Sequence, residues 1–262
     1  MRQPAPIYVV DRFPALRAQL VDLLSGLSAD DWSRPTAAGL WTVKDIAVHL
    51  LGGDIGNLSR RRDAFRQSDK PFQSDREFVA FINELNAQWV TAARRMSPRI
   101  LCELLAFTGP PIAAYFASLD PDAVGGPVSW AGPDPAPVWL DIAREFTEQW
   151  HHQQQIRDAT GRPALYAPYF FAPVLDAFMR AVPHSFRKTA GSEGVVVRID
   201  ITGSAGGSWF LRRGATSWDL LIESDAEPST EVAMPQDTVW RVFTRGIEET
   251  EARRLAIVRG DA

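Results

Sequence analysis

The sequence predicts an α plus α+β protein, a helical bundle followed by a small α+β domain. Two patterns carry that reading. Up to about residue 165, apolar residues recur at three-to-four spacing, the period of an amphipathic helix. Beyond about residue 190, short runs rich in Val, Ile, Leu and Trp are separated by glycines, as strands are by turns. A length of 262 residues gives room for one large or two modest cores, and helices that precede strands sort into separate layers or domains. The expected division is 1–165 for the bundle, 166–190 for a helical connection and 191–262 for the α+β domain.

The elements follow in chain order. Phe13, Leu16, Leu20, Leu23 and Leu24 mark a first helix between about Val9 and Leu27, and Ser28 to Gly39 is a polar, turn-rich connection. A second helix opens at Thr42, whose side chain can cap it with Asp45 three residues on, and runs beyond Leu58. Ser74 opens a third through Phe78, Phe81, Ile82, Leu85, Trp89 and Val90, which stops near Ser97-Pro98. The fourth starts near Pro98 and is expected to kink or split at Gly109-Pro110-Pro111, where backbone donors are missing, then to resume through Tyr115 and Leu119. Gly125 to Pro137 reads as a loop. Val138 to Thr160 is a long helix that Gly161 stops. The strand-like runs are Val195–Ile201, Ser208–Leu211 and Trp218–Ile222; Pro235 to Arg245 reads as a helix and Arg254 to Val258 as a last strand.

Composition narrows the function. Hydrophobic residues make up 45% and charged residues 23%, with a net charge of -4, an ordinary globular balance. No basic block argues for nucleic acid or for an anionic membrane surface. Cys102 is the sole cysteine, so no disulfide can form within the chain and zinc patterns built on paired cysteines are excluded. The N-terminus lacks a signal-peptide core and no apolar run approaches a membrane span, so the expected location is the cytoplasm.

The residues with chemistry to offer are few. Glu148 and His152 are four apart, so they project from one side of a helix, one turn from each other. They lie at the edge of an apolar stripe centred on Ile142, Phe146 and Ile156. A carboxylate and an imidazole turned partly inward call for compensation, which a cation supplies. His49 is the candidate third ligand, on a helix that also carries Gly52, Gly53 and Gly56. Glycines inside a helix cost about 1 kcal/mol each relative to alanine, so this cluster implies that space is wanted, for a close helix or for a substrate. Two histidines and one carboxylate leave coordination positions open on zinc, nickel, manganese or iron. A solvated Glu/His contact is the bland alternative. His151 rivals His152 but points about 100° away on the wheel, towards solvent; His184 reads as structural.

The segment WTVKDIAVHLLGGD, followed a hundred residues later by EFTEQWHHQQQIRDATGRP, resembles the DinB superfamily, and within it the branch containing mycothiol-dependent maleylpyruvate isomerase. The segments GGSWFLRRGATSWDLLIE and DTVWRVFTRG are similar to that branch's small C-terminal α+β domain, which is sterol-carrier-like. The resemblance implies a DinB-like four-helix bundle and a metal triad that falls by motif on His49, Glu148 and His152. Many relatives carry an aspartate where this chain has Gln155, a neutral amide.

What the resemblance implies about activity is a divalent metal, zinc first and nickel, manganese or iron as alternatives, whose open position receives mycothiol or another low-molecular-weight thiol. The expected activity is thiol S-transfer to, or isomerisation of, a small electrophile. The resemblance further implies a catalytic arginine from the C-terminal domain, assigned to Arg245, with Arg212 and Arg241 as competitors. Trp41, Trp150 and Trp240 read as core or pocket walls. A metal-dependent hydrolase and a non-catalytic, metal-stabilised binding or regulatory module are the alternatives. Thiol and electrophile are the expected partners, without nucleic acid or membrane, in a monomer or homodimer.

Overall fold

The computed structural model describes residues 1–65 and 74–260. The chain forms two compact units: one of Val10–Leu119 with His152–Ala164, the other of Met1–Val9, Asp120–His151 and Leu165–Ala262. The helical segment to residue 165 therefore divides between the two units.

The first unit contains α1 (Phe13–Ser25), α2 (Val43–Gly56), α3 (Asp75–Ala93), α4 (Pro98–Ala117) and the C-terminal part of α5 (Val138–Thr160). Its helix ends follow from local chemistry. At α2 the Thr42 side chain accepts the Asp45 N–H while the Asp45 carboxylate takes the Thr42 N–H, a complete capping box. Ser74 caps α3 through the Glu77 N–H, and Ser97 caps α4 through that of Ile100 with Pro98 in the first turn. At the end of α5, Gly161 adopts a φ of 64° and the Arg162 N–H reaches the Arg157 carbonyl at 2.8 Å, the left-handed turn that glycine closes without strain. The core between these helices is built from Leu20, Leu24, Trp32, Ile46, Leu51, Val90, Leu101, Leu105 and Ile156. Each such side chain contributes roughly 1.5–3 kcal/mol by leaving water.

Two expectations for α4 are corrected. The helix runs unbroken from Pro98 to Ala117 through Pro110 and Pro111. The carbonyls that lose their N–H partners belong to Ala106 and Phe107, which are exposed, so water can satisfy them. The 20-residue α4 is also long and apolar enough to cross a membrane by length and composition. It packs on α1 and α2 and buries Leu101, Leu105, Ile112 and Phe116, as the core helix of a bundle does. Past Gly56, α2 continues into a π-helical turn, Asn57–Arg62.

This unit also buries an ion pair. The Arg17 guanidinium donates to Asp54 Oδ1 at 2.7 Å, and the Thr108 hydroxyl donates to Asp54 Oδ2 at 2.5 Å. Gly109 makes room for it: a Cβ there would sit 2.7 Å from Cγ of Arg17.

The second unit is organised around a five-stranded sheet of β3 (Val196–Thr202), β4 (Gly207–Arg213), β5 (Trp218–Leu221), β6 (Thr230–Pro235) and β7 (Ile257–Gly260), in the order β5-β4-β3-β6-β7. β3 and β6 are parallel and the other neighbours antiparallel. α6 (Pro168–Met179) and α7 (Val182–Ser185) fill the expected helical connection. Trp150 stacks on Phe171 with ring centroids 4.3 Å apart and meets Trp240 edge-on at 6.1 Å. Its indole N–H donates to the Leu165 carbonyl, and that of Trp240 to the Tyr166 hydroxyl, so both tryptophans are core residues with their polar edges satisfied.

Several local expectations fail here. Val124–Pro127 (β1) and Pro135–Pro137 (β2) pair antiparallel inside the stretch read as a loop. β6 adds a strand where the sequence pattern predicts none. α8 covers Gln236–Phe243, and a further helix, α9 (Glu249–Leu255), takes Arg254 and Leu255 out of the expected last strand. α9 is short and held by Glu249–Arg253 and Glu251–Arg254 ion pairs rather than by an apolar face, so its sequence carries no hydrophobic period to detect.

Candidate metal centre

His49 stands midway along α2, and several contacts hold that helix. The Arg94 guanidinium grips the buried Asp45 carboxylate through two hydrogen bonds, at 2.8 and 3.0 Å. Burial pushes the Asp45 carboxyl up, but Arg94 and Thr42 outweigh it and leave it below the usual value. One turn before the end of α2, Gly52 abuts the Trp89 indole, where a Cβ would lie 2.6 Å from the ring, and Trp89 donates to the Val48 carbonyl at 2.8 Å. The three glycines thus divide: Gly52 admits a close helix partner, whereas Gly53 and Gly56 face open space.

The partner of His49 comes from α5. The His49 and His152 rings meet edge-on at 4.7 Å, and the Trp41 ring packs 4.8 Å from His49 and 6.4 Å from His152. Trp41, half-buried, thus touches both imidazole rings and also packs against the bundle core. Glu148 lies one turn before His152 on the same continuous helix. One ligand atom from each of His49, Glu148 and His152 lies within 4.8 Å of the others. Donors on a tetrahedral zinc stand about 3.3 Å apart, given bonds of roughly 2.0–2.1 Å, so a side-chain contraction of about 1.5 Å at most would close this set on an ion. Two imidazoles and one carboxylate are all lone-pair donors that suit a borderline divalent metal, and a set of three leaves a coordination position to spare.

His152 is buried, and its Nδ1 lies 2.9 Å from Oε1 of Gln155. His151 does not face solvent as the helical wheel implies: its side chain is only 14% exposed, with Nδ1 3.8 Å from the Glu148 carboxylate. The wheel misjudges it because this half of α5 is covered on nearly all sides, Gln149, Gln153, Gln154 and Gln155 being buried as well. His184 sits in α7, with its carbonyl accepting from Arg187.

The arginines fall in the second unit. Arg212 lies in β4. Arg241 pairs with Asp237 and stacks 4.5 Å over the Trp240 ring. Arg245, exposed, follows α8 in the left-handed conformation, φ 56°. Its N–H bonds the Val242 carbonyl and the Gly246 N–H bonds that of Arg241, so Arg245 occupies the turn position glycine usually takes, one residue before the glycine itself. The helix read to Arg245 ends at Phe243 for this reason.

Residues 13–157 match the family model described as the mycothiol maleylpyruvate isomerase N-terminal domain. Among solved structures, the crystal structure of a mycothiol-dependent maleylpyruvate isomerase aligns with a TM-score of 0.55 and 10% identity, over 97% of this chain and 92% of that one. A histidine-to-alanine mutant of a mycothiol-dependent maleylpyruvate isomerase aligns with a TM-score of 0.56 and 9% identity over the same shares. At such identities these two show the fold alone. No protein of curated function matches the chain. The family and fold expected from the sequence motifs are thereby borne out.

Proposed function

The chain belongs to the mycothiol maleylpyruvate isomerase family, whose N-terminal-domain model covers more than half of it, and on that premise we propose that it is a cytoplasmic, metal-dependent enzyme that uses a low-molecular-weight thiol of the mycothiol type on a small electrophile, by S-transfer or isomerisation. The observation that carries the reading is the convergence of His49, Glu148 and His152. Zinc suits the donor set first; nickel, manganese and iron suit it too. A metal held by these three side chains would lower the pKa of a thiol, making thiolate, the nucleophile, abundant at neutral pH.

The chain's own groups do the rest. His49 and His152 supply neutral imidazole nitrogens and Glu148 a carboxylate oxygen. Trp41 packs against both imidazole rings and shields that side from water. The open strip beside Gly53 and Gly56 gives a thiol carrier room along α2. Arg245 is assigned to bind a carboxylate of the electrophile; its exposed guanidinium and its left-handed backbone, a conformation non-glycine residues adopt at a cost, support the assignment. The roles divide along the chain, with the helical segment 1–165 carrying the metal donors, 166–190 connecting, and the α+β segment 191–262 carrying Arg245.

The test is metal analysis of the purified protein combined with turnover of an electrophile such as maleylpyruvate in the presence of mycothiol. Thiol-dependent turnover should disappear on complete chelation and return with added zinc. Turnover that survives chelation, or that needs no thiol, would defeat the proposal.

A further inference from the structure

An imidazole has two nitrogens, and only one of them can serve a metal while the other is engaged elsewhere. On His152 the engaged one is Nδ1, which lies 2.9 Å from Oε1 of Gln155, three residues along α5 and so on the same side of the helix. Both residues are enclosed, His152 6% exposed and Gln155 4%, so bulk water does not compete for this hydrogen bond. An amide oxygen only accepts. The ring nitrogen facing it must carry the proton, and Nε2 keeps its lone pair.

We infer that Gln155 is a positioning residue for His152: it holds the imidazole in the Nδ1–H tautomer, orients the ring plane, and presents Nε2 as the donor. The inference rests on the reading of His49, Glu148 and His152 as metal ligands. The amide does this without adding charge. Three ligands with one carboxylate leave a divalent ion a net positive charge, and a neutral partner behind His152 leaves that charge undiminished for an incoming anionic thiolate. A carboxylate in the same place would hold the same tautomer but offset part of that charge. Gln155 also belongs to a run of buried amides, with Gln153 and Gln154. Side chains of this type can hydrogen-bond inside a covered helix without the cost of burying an ion.

The experiment compares the full-length wild type with Gln155→Leu and Gln155→Glu. Zinc affinity is measured by competition with a chelating indicator, and the protonated nitrogen of His152 is read by 15N NMR in metal-free protein. Gln155→Leu should bind zinc roughly 10–100-fold more weakly, and Gln155→Glu, which retains an acceptor, should bind at least as tightly as the wild type. The metal-free wild type should show His152 protonated at Nδ1, and Gln155→Leu a mixture of tautomers. Unchanged zinc affinity in Gln155→Leu, or an Nε2–H tautomer in the wild type, would overturn the role of Gln155. A wild type that binds no zinc would overturn the metal centre instead, and the tautomer measurement would still judge Gln155 on its own.

Discussion

Helix α2 carries two clusters of polar groups a little over one turn apart, at Asp54 and at His49, and they are balanced in different ways. At Asp54 the charges close among themselves: the Arg17 guanidinium donates to one carboxylate oxygen and the Thr108 hydroxyl to the other, with all three residues buried. At His49 the neighbours brought in by α5 are another imidazole and a carboxylate, three groups that each offer one ligand atom, a set that suits a divalent cation. The types of group gathered, a cation with an anion in one and three metal-ligating side chains in the other, distinguish the clusters where burial would not: Asp54 is the more deeply buried of the two.

The largest expected effect tests the closed cluster. Asp54→Ala should cost about 3–5 kcal/mol, because it strands the Arg17 guanidinium in the bundle core; urea denaturation measures it. The double replacement Arg17→Met with Asp54→Leu should recover most of that loss, since an apolar pair of similar volume needs no compensation. A single variant as stable as wild type would erase the contrast between the two clusters.

The open cluster should respond to an ion. With free zinc 100-fold above its Kd, the wild type should gain about 2.7 kcal/mol of stability, while His49→Ala should gain little and change the metal-free protein by no more than about 1 kcal/mol. Equal zinc stabilisation of both proteins would remove His49 from the centre.

A smaller effect belongs to the second unit. Arg245→Gly should stabilise the turn after α8 by about 1 kcal/mol by relieving the left-handed backbone and should lower kcat/KM for a carboxylated electrophile. Stabilisation with undiminished kcat/KM would leave Arg245 as a turn residue only.

The smallest concerns the hold on α2. The Asp45 carboxyl sits below its usual value despite burial. Its contribution is therefore fully present above the ordinary carboxylate pKa of 3.8 and is lost as pH falls through the lowered folded value. Asp45→Asn should be less stable at neutral pH and lose less on acidification below pH 3.8, which acid titration of the unfolding midpoint can read. Parallel acid profiles for the two proteins would contradict the assignment.

Much of the candidate site is legible in the amino-acid sequence because its parts obey local rules. The i, i+4 step from Glu148 to His152 follows from helical geometry alone, and the Thr42–Asp45 capping box that opens the helix of His49 is written in two residue types at fixed spacing. Other features have no local signature. A helical wheel assumes one covered face, so it misplaces His151 and passes over the buried glutamines of α5. Trp41, which the sequence leaves open between core and wall, packs against both the core and the His49 ring, a placement set by what folds against it. β6 and α9 lack a hydrophobic period long enough to read, and Pro110 and Pro111 sit in an unbroken helix because the carbonyls they free face water.

The sequence by itself determined the family, the order of bundle and α+β segment, and the capped starts of α2, α3 and α4, since periodicity, caps and glycine turns are interactions among residues within a few positions of one another. Only the tertiary structure decided that the His49 ring meets that of His152 across about a hundred residues of chain, that Gly52 faces an indole while Gly53 and Gly56 do not, and that the Gln155 amide lies 2.9 Å from Nδ1 of His152. Those outcomes depend on how helices distant in sequence pack, and no local rule specifies the result.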